Sequence, residues 1–297
     1  MLYGNAKLGD EIYLAYADYE TDNAYLLDDF FSYKQVFSIR DMNDFIRFFK
    51  PEWDQEIKDF FAGEVSWGIP LNSVSWAAPI LEPARNIVCL GKNYLDHIKE
   101  VANLGSGEMV PKSPIYFTKA THTIIGPSDI ILSHPQITEK LDYEAELAVI
   151  IGKPGINIEP EQAESHIFGY TIANDVSARD LQQSHQQWFK GKSLISHCPI
   201  GPLILTKSSI SYPPHLEIRS YVNGELRQES NTEQLIFGIS EILADLSRGY
   251  ELKTGDIILT GTPAGVGHGF SPPKYLKSGD LITCTIQEMG SLTNIVG

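Results

Sequence analysis

The stretch LDYEAELAVIIG (Leu141 to Gly152) places two glutamates, Glu144 and Glu146, two residues apart inside an otherwise apolar run. Read as a strand, it carries Ala145, Leu147, Val149 and Ile151 on one face and Glu144, Glu146, Ala148 and Ile150 on the other. Residues i and i+2 of a strand lie roughly 6.5–7 Å apart, so the two carboxylates can converge on one point. Like charges that close repel, and burial would push one of the two pKa values up. Two readings follow: an exposed face bearing an ordinary acidic pair, or a cation held between the two. Asp175, in IANDVSARD, offers a third carboxylate from a separate strand end. Three carboxylates make an all-oxygen donor set, which suits Mg²⁺ or Mn²⁺ completed by water and substrate oxygens. Arg179 and Gln182 follow Asp175 at i+4 and i+7, so a helix entered there would put all three on one face. The plainer alternative is an N-capping Asp followed by a solvated Arg.

Three further segments carry groups of chemical interest. In GKNYLDHIKE, His97 and Glu100 are helical neighbours, and a carboxylate beside an imidazole orients it and raises its basicity. That makes a base able to activate water, or else a surface His beside a surface Glu. In KGKSLISHCPIGP, Lys192 lies among small and apolar residues, where an ammonium can stabilise an enolate or bind a carboxylate. In GDIILTGTPAGVG, a strand feeds a glycine-rich turn carrying Thr260 and Thr262. No Gly-Lys-Ser/Thr closes it as a P-loop would. GVGHGF is no dinucleotide fingerprint either, because Pro272 and Pro273 follow where a helix is needed. A GxSxG elbow is also lacking. Backbone amides and a threonine hydroxyl in such a turn can still meet an anionic ligand.

The elements that must position these groups are mostly strands. After Pro83, NIVCLG, PIYFTKA, ELAVIIG, IFGYTIAND, LEIRSYVNGELRQES, DIILTGT and DLITCTI are short, β-branched or aromatic, and bounded by turn residues. VNGE predicts a type I′ hairpin. Helices are expected over Asn93 to Asn103, EPEQAESHIF, RDLQQSHQQWFKG and EQLIFGISEILADLSRG. Before Leu71 stand two strand-like runs and an acidic, aromatic helical stretch interrupted at Pro51, with Phe45, Phe48 and Phe49 at helical spacing. This predicts an α+β, mainly β chain: a small N-terminal accessory domain (1–71), a linker (72–83) and a main domain (84–297). Gly105 and Gly107 before Pro111 predict a mobile loop, and the segment Asn93 to Pro111 is expected to close as a lid over ligand.

The 297 residues carry a formal net charge of -15, which argues against nucleic acid or an anionic membrane as partner. An anionic substrate would need that sign reversed locally by a metal, Arg or Lys. Cys89, Cys198 and Cys284 are widely spaced with no CxxC, so a disulfide framework or zinc cluster is not expected and a reducing cytoplasm fits. The N-terminus lacks the pattern of a signal peptide, and no apolar run approaches the ~20 residues of a membrane span.

Taken in order, GKNYLDHIKE, LDYEAELAVIIGK, GYTIANDVSARDLQ, GKS…CPIGP and GDIILTGTPAGVG…SGD resemble the fumarylacetoacetate hydrolase family. GFSPPKYLKSGD is similar to the subgroup that contains oxaloacetate decarboxylases. The resemblance implies a mixed β-sandwich roll, usually a homodimer with one divalent ion per subunit. By position, it implies metal ligands at Glu144, Glu146 and Asp175, a catalytic His97 and Glu100, and substrate contacts from Arg179, Gln182, Lys192 and Thr262. Many members carry an Asp where this chain has Ile195, a change that removes a carboxylate able to orient Lys192. The implied chemistry is metal-dependent cleavage of a C–C bond next to a ketone in a small anionic 2-oxo acid, through an enolate held on the metal. Oxaloacetate decarboxylation is the first expectation. Acylpyruvate or fumarylacetoacetate-type hydrolysis comes next, then a hydroxymuconate-type isomerisation or decarboxylation, and last a non-catalytic 2-oxo-acid-binding or scaffold protein.

Overall fold

The computed structural model describes residues 1–63, 67–101 and 110–297. Its spine is an eleven-stranded sheet. From one edge the order runs Ile69–Pro70, Asn23–Leu26, Glu11–Asp18, Leu2–Leu8, Leu203–Thr206, Ile167–Asn174, Ala145–Ile151, Ile257–Leu259, Ile87–Gly91 and Ile115–Lys119, with Ser75–Ala77 also paired to Leu2–Leu8. Most pairs are antiparallel; Ile257–Leu259 runs parallel to Ile87–Gly91. A five-stranded sheet (Glu225–Asn231, Glu217–Val222, Leu281–Ile286, Gly290–Val296, Ile130–Ile131) faces the spine across a shared core.

Strand Ala145–Ile151 shows why the chain is mostly strand here. Its seven residues are all buried. Ala145, Leu147, Val149 and Ile151 pack with Ile218, Ile282 and Val296 of the smaller sheet, while Ala148 and Ile150 face a second apolar cluster. The alternation read from the sequence therefore separates two cores, and neither face meets solvent. A strand covered on both sides needs apolar residues at nearly every position, so a polar one there requires a specific partner.

The second cluster joins Tyr3, Phe30, Phe45, Trp53 and Ile57 to Ala148, Ile150, Phe168 and Ile204. Phe168 meets Phe45 and Phe49 edge-on, at 6.1 and 5.1 Å between ring centroids. Residues 1–71 thus extend the sheet of residues 84–297 and share its apolar filling. Pro51 divides the aromatic stretch as expected, giving helices Met42–Phe48 and Trp53–Ala62, the first capped by Asp41. The hairpin at Asn223-Gly224 is present, with φ of 52° and 79° and Val222 opposite Glu225.

Three helical expectations shrink, EQLIFGISEILADLSRG among them, whose helix spans only Ile239–Leu246. EPEQAESHIF yields a 3₁₀ turn (Pro160–Gln162) and one helical turn (Ala163–His166) before Ile167 enters a fully buried strand. RDLQQSHQQWFKG breaks into Arg179–Ser184 and Phe189–Lys192. In the first case the run of aromatic and β-branched residues gains more by filling the sheet than by continuing a short polar helix.

Gly105 and Gly107 lie outside the described residues. At the start of that segment Asn93 is fully buried, its Nδ2 donating to the carbonyls of Phe237 (3.1 Å) and Thr260 (2.8 Å), its Oδ1 accepting from Phe237 N (2.8 Å). Helix Leu95–Val101 is therefore tethered to the scaffold at its entry. Asn93→Ala would leave three buried backbone groups unpaired, at about 1–3 kcal/mol each before relaxation. We expect a loss of at least ~2 kcal/mol in urea denaturation, and an unchanged midpoint would show that the tether is dispensable.

Candidate active site

Glu144 immediately precedes strand Ala145–Ile151, Glu146 is its second residue, and Asp175 follows the adjacent strand Ile167–Asn174. Antiparallel pairing sets Ala145 opposite Asn174, which brings the three acids to one end of the sheet. Two bonds lock that end: Glu144 N donates to Asn174 Oδ1 (3.0 Å) and Asp175 N to Glu144 O (2.9 Å). One carboxylate oxygen from each acid lies within 4.8 Å of the others, and all three residues are buried. The exposed-pair reading of Glu144 and Glu146 is excluded.

Buried cations surround them. Lys192 Nζ donates to Glu144 Oε2 and Asp175 Oδ2, both at 2.7 Å. Lys119 Nζ donates to Asp175 Oδ1 (2.5 Å) and Val176 O (3.0 Å). Arg179 bridges Asp142 Oδ2 through Nε (2.8 Å) and Glu144 Oε1 through Nη1 (2.6 Å). Burial alone would raise Glu144, but Lys192, Arg179 and His97 together outweigh it and bring its carboxyl down to about 2. Glu146 is different: its Oε2 accepts only the Gly261 amide (2.7 Å), with no ion pair among the described residues. Burial, then Asp175 and Glu144, push it well above the usual carboxylate range.

Three buried cations thus face four buried carboxylates (Asp142, Glu144, Glu146, Asp175), and the unpaired one is Glu146. A divalent cation held by Glu144, Glu146 and Asp175 would neutralise that excess and turn the pocket floor net positive. The donors are all oxygen, as hard ions of the Mg²⁺ and Mn²⁺ type require. The residues present fit such an ion.

His97 and Glu100 are brought together as the spacing predicted: His97 Nδ1 lies 3.3 Å from Glu100 Oε2 on helix Leu95–Val101, and His97 lines the same cavity as Glu144. Glu100 Oε1 accepts from Gly265 N (2.9 Å), so the carboxylate also fastens the helix to the glycine-rich turn. That turn needs glycine at 265, where φ is +104° and a Cβ would run into the Arg227 carbonyl.

The cavity, of about 270 Å³, is walled by His97, Glu144, Glu146, Arg179, Lys192 and Thr262 on the charged side. Phe117 and Trp188 also line it, 5.3 Å apart and edge-on, with Lys192 Nζ 5.1 Å from the centre of the Phe117 ring. Arg179 Nη2 is buried with no hydrogen-bond partner among the described residues, as suits a donor kept for an anionic ligand. Gln182 accepts from Arg179 Nη1 (3.0 Å). The Thr262 hydroxyl donates to Ala145 O (2.9 Å) and accepts from Gln228 Nε2 (2.7 Å), bracing the turn against the strand.

Two expectations are corrected. Asp175, Arg179 and Gln182 do not share a helix face, because Ser177–Ala178 pairs with Leu141–Asp142 and the helix starts only at Arg179. Nor does Lys192 lack an orienting carboxylate. Glu144 and Asp175 orient it, and Ile195 is 57% exposed. Sequence reasoning missed Lys119 and Asp142. A lysine closing the apolar strand PIYFTK was a readable signal, since a strand end beside a carboxylate cluster is where a buried lysine finds partners. Asp142 had no such mark.

Residues 86–297 match the C-terminal family of fumarylacetoacetate (FAA) hydrolases. The chain is 49% identical over 246 residues to the oxaloacetate tautomerase YisK of Bacillus subtilis, covering 83% of this chain and 80% of that one. It is 43% identical to the mitochondrial oxaloacetate tautomerase FAHD2A of Homo sapiens, over 77% of this chain and 71% of the other. Among solved structures, the fumarylacetoacetate hydrolase of the psychrophile Exiguobacterium antarcticum superposes with a TM-score of 0.84 at 39% identity, covering 100% of this chain and 99% of that one. No helix among the described residues is long and apolar enough to cross a membrane.

Proposed function

Since the chain belongs to the fumarylacetoacetate hydrolase family and is an enzyme of that family, we propose that it interconverts the keto and enol forms of oxaloacetate. The relatives' names support the substrate. The observation that carries the reaction is the His97–Glu100 pair, set on the wall of a pocket whose floor is the Glu144, Glu146 and Asp175 cluster.

A divalent ion on those three acids, Mg²⁺ or Mn²⁺, would supply Lewis-acid charge at the 2-oxo acid end of the substrate. The chain's own residues do the rest. Arg179 offers its free Nη2 to the C1 carboxylate, and Lys192 keeps the floor cationic next to it. His97 Nδ1 is engaged by Glu100, which leaves Nε2 to take a proton from C3. Glu100 stabilises the imidazolium so formed. The C3–H electrons become the C2–C3 double bond, the C2=O π pair moves onto O2, and the imidazolium gives its proton to O2. The buried base distinguishes this reading from decarboxylation, which breaks C3–C4 and needs no base. The enzyme would work as a homodimer, as the family resemblance implies, and its three scattered cysteines suit a reducing cytoplasm.

The test is a stopped assay of Mn²⁺-loaded protein on oxaloacetate, following enol absorbance and pyruvate in the same sample. Accelerated keto–enol equilibration with little pyruvate is expected. Pyruvate formed as fast as enol is consumed would make the enzyme a decarboxylase instead.

A further inference from the structure

His268, next to the glycine-rich turn, belongs to no part of the chemistry above, yet it lines the cavity together with Gln183. The His268 amide donates to Asp142 Oδ2 (3.0 Å), and the preceding Gly267 amide donates to Asp142 Oδ1 (2.7 Å). A Cβ at Gly267 would press on that same carboxylate and on the Lys274 carbonyl, so the backbone is seated closely there. From behind, Tyr275 holds the ring, its hydroxyl 2.7 Å from His268 Nδ1 and the two rings stacked at 17°. In front, His268 Nε2 lies 3.1 Å from Gln183 Nε2, which keeps the second N–H of the carboxamide for another acceptor. The same Asp142 also holds Arg179, so His268 and the anion-binding guanidinium hang from one buried carboxylate.

We propose that His268 and Gln183 form the subsite for the C4 carboxylate of the substrate, and that by holding this group they steer the site to proton transfer and away from loss of CO₂. The inference rests on the reading of the site as an oxaloacetate tautomerase. Oxaloacetate has a second carboxylate; Arg179 Nη2 is assigned to the first, and Lys192 is held by Glu144 and Asp175. The His268–Gln183 pair lines the same cavity and offers it a neutral carboxamide donor, tied through Asp142 to Arg179. Burial, then Arg179, lower the His268 pKa; Lys140 acts in the same direction, while Asp142 and Glu100 oppose it. With the ring nitrogens of His268 turned to Tyr275 and Gln183, the imidazole positions the carboxamide, whose second N–H can bind a carboxylate without adding a charge.

The consequence for the reaction is electronic. In decarboxylation the C3–C4 bond breaks, its electron pair enters the C2–C3 bond, CO₂ leaves, and C3 later gains a proton. The departing carboxylate loses its negative charge along that path. Donors bound to it stabilise the ground state more than the transition state, and so oppose departure. In tautomerisation the C4 carboxylate keeps its charge throughout, and the same donors cost nothing.

The experiment uses Mn²⁺-loaded full-length protein and the variants His268→Ala, Gln183→Leu and Tyr275→Phe. Calorimetry with malate and lactate, which differ by the distal carboxylate, reads binding without turnover. The native chain should prefer malate, and His268→Ala and Gln183→Leu should each reduce that preference by about tenfold. With oxaloacetate, both variants should raise KM and increase pyruvate formed per enol equilibrated by about fivefold or more. Tyr275→Phe should give the same changes in smaller measure. A malate preference and a pyruvate ratio equal to the native values in both His268→Ala and Gln183→Leu would overturn the subsite. If the native chain does not tautomerise oxaloacetate but the malate preference falls in the variants, the subsite stands and the assigned reaction falls.

Discussion

Glu146→Gln is expected to abolish Mn²⁺ binding while leaving the metal-free protein at least as stable as the native chain. Glu146 is buried and its carboxylate has one backbone donor, Gly261 N at 2.7 Å, with Asp175 and Glu144 as like-charged neighbours. Replacing it by a neutral isostere removes a repelled, desolvated charge from the fold and one anionic ligand from the ion. Asp175→Ala should behave in the opposite way in the apo state. It would take the carboxylate from Lys119 and Lys192 together, two fully buried ammoniums, and breaking buried pairs in this manner costs about 3–5 kcal/mol. Calorimetric Mn²⁺ titration and guanidinium unfolding of both metal-free variants make the comparison. Native Mn²⁺ affinity in Glu146→Gln would remove Glu146 from the ligand set. A clear loss of apo stability in that variant would mean that its charge is structurally compensated after all.

The second large effect is at His97. His97→Ala should lower turnover by ~10²–10⁴-fold, the range for a positioned general base, while oxalate affinity changes little. The physical reason is that proton transfer occurs only on the way to the transition state, so the loss falls on kcat and not on ground-state binding. Glu100→Gln should fall between native and His97→Ala, because it weakens both the imidazolium and the hold on Gly265 N. Turnover retained in His97→Ala would make the residue a bystander and leave the pocket floor alone to do the chemistry.

Much of this was legible before any coordinates, and particular residues show why. Alternation in ELAVIIG, the Asn-Gly turn and the break at Pro51 are local rules, set by backbone geometry within a few residues. The pair Glu144 and Glu146 was legible for the same reason: a spacing of two along a strand fixes direction whatever the rest of the chain does. His97 and Glu100 meet because helix geometry brings i and i+3 together.

What lay beyond the sequence was set by contacts between distant segments. Lys119 reaches Asp175 across 56 positions, and Asp142 reaches Arg179 across 37. Such pairs have no period or motif, and they exist only once sheet order brings separate strand ends together. The two misjudged points have this cause. Sequence order allowed a helix entered at Asp175 and took one orienting carboxylate from Lys192, but the pairing of Ser177–Ala178 with Leu141–Asp142 starts the helix at Arg179, and Glu144 with Asp175 orient the lysine. By itself the sequence determined which strand would carry two converging carboxylates and which helix would set His97 beside Glu100. Tertiary structure alone decided how the charges balance, because a buried ion pair is specified by the fold's long-range geometry and not by either residue's neighbours in the chain.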